Sequence, residues 1–266
     1  MQLEKRGRKK VMNTLLSIEN LSIFYQTKKA EIHAINNLSF KVDKGQFVAI
    51  IGKSGCGKTS ILSAIAGLIP YEGKIIFSEK LLEKKCESFI GYMLQKDELF
   101  PWLTIEQNAL LPLKIKKILN QNRKEFIYDL LNKYGLYNFK NCYPNQLSGG
   151  MRQRASLIRT LSFAPELLLL DEPFSALDFQ TRLSVCNDVY EIIKKENKTA
   201  ILVTHDISEA ISVADKIIVL TQRPATVFSE NQIDLNKSLS PLKRREESKF
   251  SFWFEKLWGE LHDEKK

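Results

Sequence analysis

The chain of 266 residues is 44% hydrophobic and carries a formal net charge of +9, enough length and apolar content for one large domain or two small ones with a substantial core. Its longest apolar runs, such as 167–170 and 217–220, fall far short of the ~18 residues that cross a bilayer. The basic amino terminus has no apolar stretch behind it, so neither a span nor a secretory signal is expected and a cytosolic location follows. Cys56, Cys86, Cys142 and Cys186 are widely separated, without a CxxC or a nearby histidine, and are expected as free thiols rather than a disulfide framework or a zinc site.

Residues 1–13 hold Lys5, Arg6, Arg8, Lys9 and Lys10 against Glu4. Such a stretch is a solvated, disordered tail, or one that touches nucleic acid or an anionic membrane surface. Residues 15–25 and 34–42 alternate apolar and polar side chains and read as short strands of an amino-terminal sheet. Tyr25 ends the first, either as an aromatic platform for a base or as an ordinary core or edge tyrosine.

After the turn Asp43-Lys44-Gly45 comes the apolar run 47–51, then Gly52-Lys53-Ser54-Gly55-Cys56-Gly57-Lys58-Thr59, then a helical run from Ser60 to Leu68. A strand, a glycine-rich loop and a helix in that order form a P-loop. The glycines let successive N–H groups turn inward as an anion nest at the positive end of a helix. Lys58 is placed to reach the β- and γ-phosphates of a nucleotide, and the Thr59 hydroxyl to hold Mg²⁺. Cys56, between this nest and Lys58, is either a thiol biased toward thiolate or a small buried filler.

Residues 71–77 read as turn and strand, and 89–94 as a strand ending at Gln95. The period then becomes helical. Thr104 and Gln107 form a capping box before Ile105, Ala109, Leu110 and Leu113, and a second helix carries Phe126, Leu130, Leu131 and Tyr134 before Gly135. This is an all-helical insert, after which the α/β pattern resumes. Ser148 precedes a helix over 149–163, and the buried strand 167–170 ends in Asp171-Glu172-Pro173. A helix over 179–196, a strand over 199–203, a short helix capped by Asp206 with Glu209, and a last strand over 216–220 complete a parallel sheet covered on both faces. Residues 241–245 read as a linker. Phe250, Trp253, Phe254, Leu257, Trp258 and Leu261 then form one helical stripe, expected to pack on its own domain rather than on a membrane or partner.

The apolar strand before Asp171 is a Walker B pattern. It delivers Asp171 to the Mg²⁺ side of a nucleotide and puts Glu172 where a general base would activate water. Gln95 and His205, also at strand ends, are candidates for orienting that water, joining the Mg²⁺ shell or contacting the γ-phosphate. Any one of them alone is also an ordinary polar strand end.

Leu147-Ser148-Gly149-Gly150-Met151-Arg152-Gln153-Arg154 resembles the signature sequence of ATP-binding cassette (ABC) proteins, and the whole motif order is similar to their nucleotide-binding subunits. The resemblance covers about residues 15–223. It implies Tyr25 as the A-loop aromatic, Gly52 to Thr59 with Ser60 as the ATP-binding Walker A segment, Gln95 as the Q-loop, and Ser148, Gly149 and Gly150 as the signature. It further implies Asp171 and Glu172 as Walker B, Ser175-Ala176-Leu177-Asp178 as the D-loop, and His205 as the switch histidine. Met151 stands where the commonest signature has glutamine, so no role of that glutamine carries over.

The implied fold is a P-loop NTPase with a RecA-like parallel sheet, an antiparallel β subdomain and an inserted α-helical subdomain. The implied domains are a tail at 1–13, a nucleotide-binding domain at 14–240 with its helical insert at about 96–147, and a carboxy-terminal amphipathic extension at 241–266. Phe100-Pro101-Trp102-Leu103-Thr104 soon after Gln95, and Arg223-Pro224 after the last core strand, are similar to the nitrate, sulfonate, taurine and bicarbonate importers.

That resemblance implies an ATPase using ATP and Mg²⁺, peripheral to the cytoplasmic face of the cell membrane. Its implied partners are a second copy of itself, integral-membrane permease subunits and, indirectly, an extracytoplasmic solute-binding protein. The signature would act in trans on ATP held by the other copy. A soluble ABC ATPase of DNA repair or translation is the competing reading, favoured by the basic charge. Those proteins have a long coiled-coil insertion or two cassettes in one chain, whereas this chain has one cassette and an insert of about 50 residues, so nucleic acid is not expected as a partner. A non-catalytic regulator would be expected to lack Glu172 or Lys58, and both are present.

Overall fold

The computed structural model describes residues 14–26, 28, 30–78, 89–175 and 177–262; the basic stretch 1–13, Cys86 and Ala176 lie outside them. Two sheets organise these residues. Strands β1 (Thr14–Gln26), β2 (Glu31–Asp43) and β4 (Glu72–Phe77) form an antiparallel sheet in the order β2-β1-β4. Both β1 and β2 are 13 residues long rather than short. Bulges interrupt their alternation, and Asn20 (φ 53°) and Asn37 (φ 49°) adopt the left-handed conformation there, which asparagine tolerates better than most residues.

The second sheet has the order β5-β6-β7-β3-β8-β9, with β3 at Phe47–Ile51, β5 at Ile90–Met93, β6 at Leu167–Asp171, β7 at Thr199–Thr204, β8 at Lys216–Leu220 and β9 at Val227–Gln232. The pairs from β5 through β8 are parallel, as expected, while β9 runs antiparallel to β8. β8 is therefore not the last strand. Ser229, Glu230, Asn231 and Gln232 give β9 no apolar alternation by which its sequence would mark it as a strand. Asn231 is nevertheless buried and bonded to Glu260 and Lys256 of a helix lying over this edge.

Apolar residues on alternate sides of the same strands enter different cores. Helix α1 (Lys58–Ile65) packs Ile61, Leu62 and Ile65 with Leu167, Leu169, Ile201, Val203 and the antiparallel sheet. The opposite face, through Leu168, Leu170, Ala200 and Leu202, meets α2 (Ile105–Ile115), α3 (Gln121–Lys133), α4 (Gly149–Leu161) and α5 (Phe179–Lys195). α2 starts on the expected capping box, with both reciprocal Thr104–Gln107 bonds formed, and α3 stops at Gly135 (φ 72°).

Further along that second face, Ala49, Ile51, Ile217 and Val219 pack with α6 (Ile207–Val213) and with Trp253, Leu257 and Leu261 of α8 (Ser248–His262). The carboxy-terminal stripe thus sits on its own domain, although Phe252 and Trp258 stay exposed. Residues 241–245 are not a free linker. They include a short helix, α7 (Pro241–Arg244), in which Arg244 is fully buried, bonded to the Tyr190 hydroxyl at 2.6 Å and the Ser212 carbonyl at 3.1 Å. A basic run reads as solvated, and its interior hydrogen-bond partners are visible only in three dimensions.

Candidate active site

The loop between β3 and α1 turns on Gly55 (φ 78°) and Gly57 (φ 114°), conformations that cost a side-chain-bearing residue dearly. A Cβ on Gly57 would also stand 2.8 Å from Ile35 Cδ1. Gly57 caps α1 without any side-chain hydrogen bond, and no acidic residue occupies the first turn, so the helix presents free N–H groups and its positive end to the loop's concavity. Lys58 is buried and curls back so that Nζ donates to the Gly52 carbonyl at 2.8 Å and the Lys53 carbonyl at 3.2 Å. A cation held this way needs no reordering to meet an anion.

Beside the loop, Thr59 Oγ1 donates to Asp171 Oδ1 at 3.0 Å, and the Tyr92 hydroxyl points to Asp171 Oδ2 at 3.5 Å. Burial, followed by the Glu172 charge, raises the Asp171 pKa despite the Thr59 bond; burial also pushes Tyr92 up to about 12. A buried carboxylate with a hydroxyl beside it is a hard all-oxygen donor set of the kind Mg²⁺ prefers.

Glu172 takes the left-handed conformation (φ 44°), which costs a non-glycine residue about 1–3 kcal/mol. Its N–H bond to the Val203 carbonyl (2.9 Å) and its carbonyl's bonds from Ser175 hold it there. The turn aims its carboxylate at His205 Nδ1 (3.1 Å) and Gln95 Nε2 (3.5 Å). The ends of β5, β6 and β7 thus bring Gln95, Asp171, Glu172 and His205 together beside the P-loop. Tyr25 is 40% exposed and donates its hydroxyl to Ser60 Oγ at 2.8 Å, which sets it at the P-loop helix rather than in a core.

The signature residues lie elsewhere. Ser148 caps α4, its Oγ accepting from the Met151 N–H at 3.3 Å. A Cβ on Gly150 would stand 2.9 Å from Val185 of α5. Asp178 caps α5, and its bonds from Thr181 hold its carboxyl below the usual range. α4 is tied to the segment after Gln95 by Arg152 to Asp97 Oδ2 (3.0 Å) and by Arg159 to the Glu98 and Asp97 carbonyls (2.6 and 2.9 Å).

Arg223, Cys56 and Glu209 take places that their sequence positions leave open. Arg223 donates to the Gly55 carbonyl at 2.6 Å, tying the P-loop from outside; the only sequence signal was its position after β8, the neighbour of the P-loop strand. Cys56 is 2% exposed and packed in the core beneath the loop, so it is the buried filler and lacks the access a reactive thiol needs. Asp206 caps α6 by accepting from the Glu209 N–H at 3.0 Å, but Glu209 does not complete the box, its carboxyl turning inward to Thr204 instead.

A phosphate nest with its lysine already enclosed, flanked by carboxylates from the neighbouring strand, is the build of a P-loop nucleoside-triphosphatase; the antiparallel sheet and the inserted helices narrow the class to a nucleotide-binding cassette. The profile of the family described as ABC transporter matches residues 35–175. An uncharacterized ABC transporter ATP-binding protein of Bacillus subtilis (strain 168), YtlC, is 45% identical over 251 residues, 94% of this chain and 96% of that one. The formylaminopyrimidine import ATP-binding protein ThiZ of Halalkalibacterium halodurans is 36% identical, covering 91% and 94%. The aliphatic sulfonates import ATP-binding protein SsuB of Bacillus cereus is also 36% identical, covering 84% and 88%.

Among solved structures, the dimeric bacterial ABC transporter cassette MJ0796 superposes with a TM-score of 0.70 at 30% identity, over 82% of this chain and 99% of that one. The chain belongs to the ABC transporter family and is an ATP-binding ATPase subunit of it. No helix among the described residues is long and apolar enough to cross a membrane.

Proposed function

We propose that this chain is the ATP-hydrolysing subunit of an importer for a small solute of the nitrate, sulfonate or taurine kind, working as a head-to-tail homodimer on the cytoplasmic face of the cell membrane with separate permease subunits and, through them, an extracytoplasmic solute-binding protein. The names of the import relatives ThiZ and SsuB support the importer class. The observation that carries the dimer is the position of α1 and α4 on opposite faces of one sheet. A signature helix start capped by Ser148, cut off from its own P-loop by the sheet, has its use on the ATP of a second copy.

In this reading the P-loop N–H groups and Lys58 bind the phosphates, Tyr25 stacks on the base, and Ser148, Gly149 and Gly150 close over the nucleotide of the other subunit, with Asp178 beside that interface. Thr59, Asp171 and Gln95 would hold Mg²⁺, which when bound neutralises charge on the β- and γ-phosphates. Glu172 accepts the proton of the attacking water. His205, oriented by its contact with Glu172, faces the γ-phosphate.

Coupling to the permease is assigned to the helical insert. Trp102 is 69% exposed and Phe100 lies 5.3 Å from it, ring to ring, so Trp102 is not core of the insert. A groove of about 560 Å³ lined by Phe100, Leu111, Pro112, Ile115 and Arg159 opens there. Because Arg159 grips the carbonyls of Asp97 and Glu98, a shift at Gln95 reaches the groove through few, stiff contacts.

Trp102→Ala is expected to weaken permease binding ~30-fold, the loss of an aromatic anchor worth about 2 kcal/mol, while ATPase activity of the isolated subunit stays within about twofold. Reconstituted transport and a pull-down of the permease check this. Unchanged transport would remove Trp102 from the interface.

A further inference from the structure

His205 leaves the end of β7 on a turn that is built from beneath. Thr204 is buried, and its hydroxyl donates to Glu209 Oε2 at 2.9 Å while accepting from the Asp206 N–H at 3.1 Å. With the Asp206 cap on the Glu209 N–H (3.0 Å), these bonds close a ring through Thr204, Asp206 and Glu209. Between Thr204 and Asp206 that ring holds His205, whose Nδ1 meets Glu172.

A glutamate at the third helical position ordinarily reaches back to the cap's own N–H. Glu209 instead points into the protein at 4% exposure, and its second oxygen, Oε1, is buried without a hydrogen-bond partner among the described residues. An ionised carboxyl with an empty buried oxygen is far more costly than the neutral acid.

The surrounding charges do not offset that cost. Asp206 repels from the same helix. Arg182 of α5 is engaged with Asp206 (3.6 Å) and the Leu177 carbonyl (3.0 Å), and Arg245 with Ser212 Oγ (2.9 Å). Cys186 of α5 is a thiol pushed up by burial. β3 and α8 bring apolar Ala49, Ile51, Trp253 and Leu257 to this core, and Arg244 of α7 is engaged with the Ser212 carbonyl and the Tyr190 hydroxyl. Burial, above the opposing hydrogen bond from Thr204, takes the Glu209 carboxyl from an ordinary 4.5 to about 8.

We propose that Glu209 is a positioning residue for ATP hydrolysis: as a neutral carboxylic acid it locks the Thr204–Asp206 turn and so holds His205 against Glu172. This rests on the roles given above to His205 and Glu172. Ionising Glu209 places a second negative charge beside Asp206 in a buried site, which opens the turn and swings His205 away. Glu209→Gln keeps the shape and the neutral state at every pH.

Two readouts test it. For stability, a folded-state pKa raised above the unfolded value means that the contribution of the neutral acid is complete below about 4.5 and is lost as pH rises through about 8. The melting temperature of the parent protein should therefore fall relative to Glu209→Gln across that window. For rate, the parent ATPase should fall as pH rises through the Glu209 pKa and level off about tenfold lower, while Glu209→Gln stays within about threefold of the parent near neutrality and lacks that limb. Glu209→Ala should lower kcat about tenfold with the KM for ATP unchanged, because the P-loop is untouched; if it does not fold, the Gln comparison decides.

A melting difference that is flat with pH, or a shared alkaline profile, would overturn the proposal. His205→Ala separates the role of His205 from the ionisation of Glu209. Hydrolysis at the parent rate in that variant would overturn the role of His205 and with it the reason for positioning, but would leave the stability arm unaffected.

Discussion

Replacing Glu172 by glutamine is expected to slow ATP hydrolysis by about 10²- to 10⁴-fold, the range associated with loss of a positioned general base. The substitution keeps side-chain length and the contacts to His205 and Gln95, which are 3.1 and 3.5 Å away, so what is removed is the proton acceptor. The left-handed turn at Glu172 is held by backbone bonds to Val203 and Ser175, which a change of side chain does not touch. Single-turnover hydrolysis and nucleotide titration should show ATP binding at the parent affinity with chemistry nearly stopped. Hydrolysis at the parent rate would take the base role from Glu172.

Lys58→Ala is expected to act on binding. The Lys58 ammonium is buried and held by two loop carbonyls at 2.8 and 3.2 Å, so it is already oriented for phosphate oxygens. Charge-assisted hydrogen bonds of this kind are worth about 1.5–3 kcal/mol each, which puts the loss at ~10- to 150-fold in ATP affinity. The Gly52 carbonyl would also lose the Lys58 donor, adding a loss of loop order in the same direction, while the Lys53 carbonyl keeps the Cys56 N–H at 3.2 Å. Calorimetric titration with ATP measures it, and an unchanged dissociation constant would contradict the place of Lys58 at the phosphates.

The parts of this molecule that were legible in its sequence are those written locally. The P-loop needs glycines where the chain turns left-handed, a strand before it and a helix after it, and all three lie within about 20 consecutive residues. The Thr104 capping box, the Gly135 stop and the strands read at 167–170 and 199–203, each one residue longer in the structure, were readable for the same reason. What escaped depends on distant partners. Ser229 and Asn231 of β9 are polar because they meet Glu260 and Lys256 of α8, and Arg244 is buried because Tyr190 and the Ser212 carbonyl wait for it. Arg223 reaches Gly55 across 168 residues of chain.

Glu209 is the instructive case. Its spacing from Asp206 fits a capping box, and half of the box forms, yet the Thr204 hydroxyl draws the carboxyl inward, where no sequence pattern points. Cys56 likewise sits in an electropositive stretch of sequence but under the loop rather than on it.

The central claim is that one subunit's P-loop and the other's signature share each ATP, and it is tested most directly by light scattering on the Glu172→Gln protein with and without ATP and Mg²⁺. A ligand bound only by the dimer must draw the subunits together. With hydrolysis blocked, the account predicts monomer without nucleotide and dimer with ATP, and loss of that shift when Lys58→Ala or Ser148→Arg is added. An ATP-saturated monomer would contradict it.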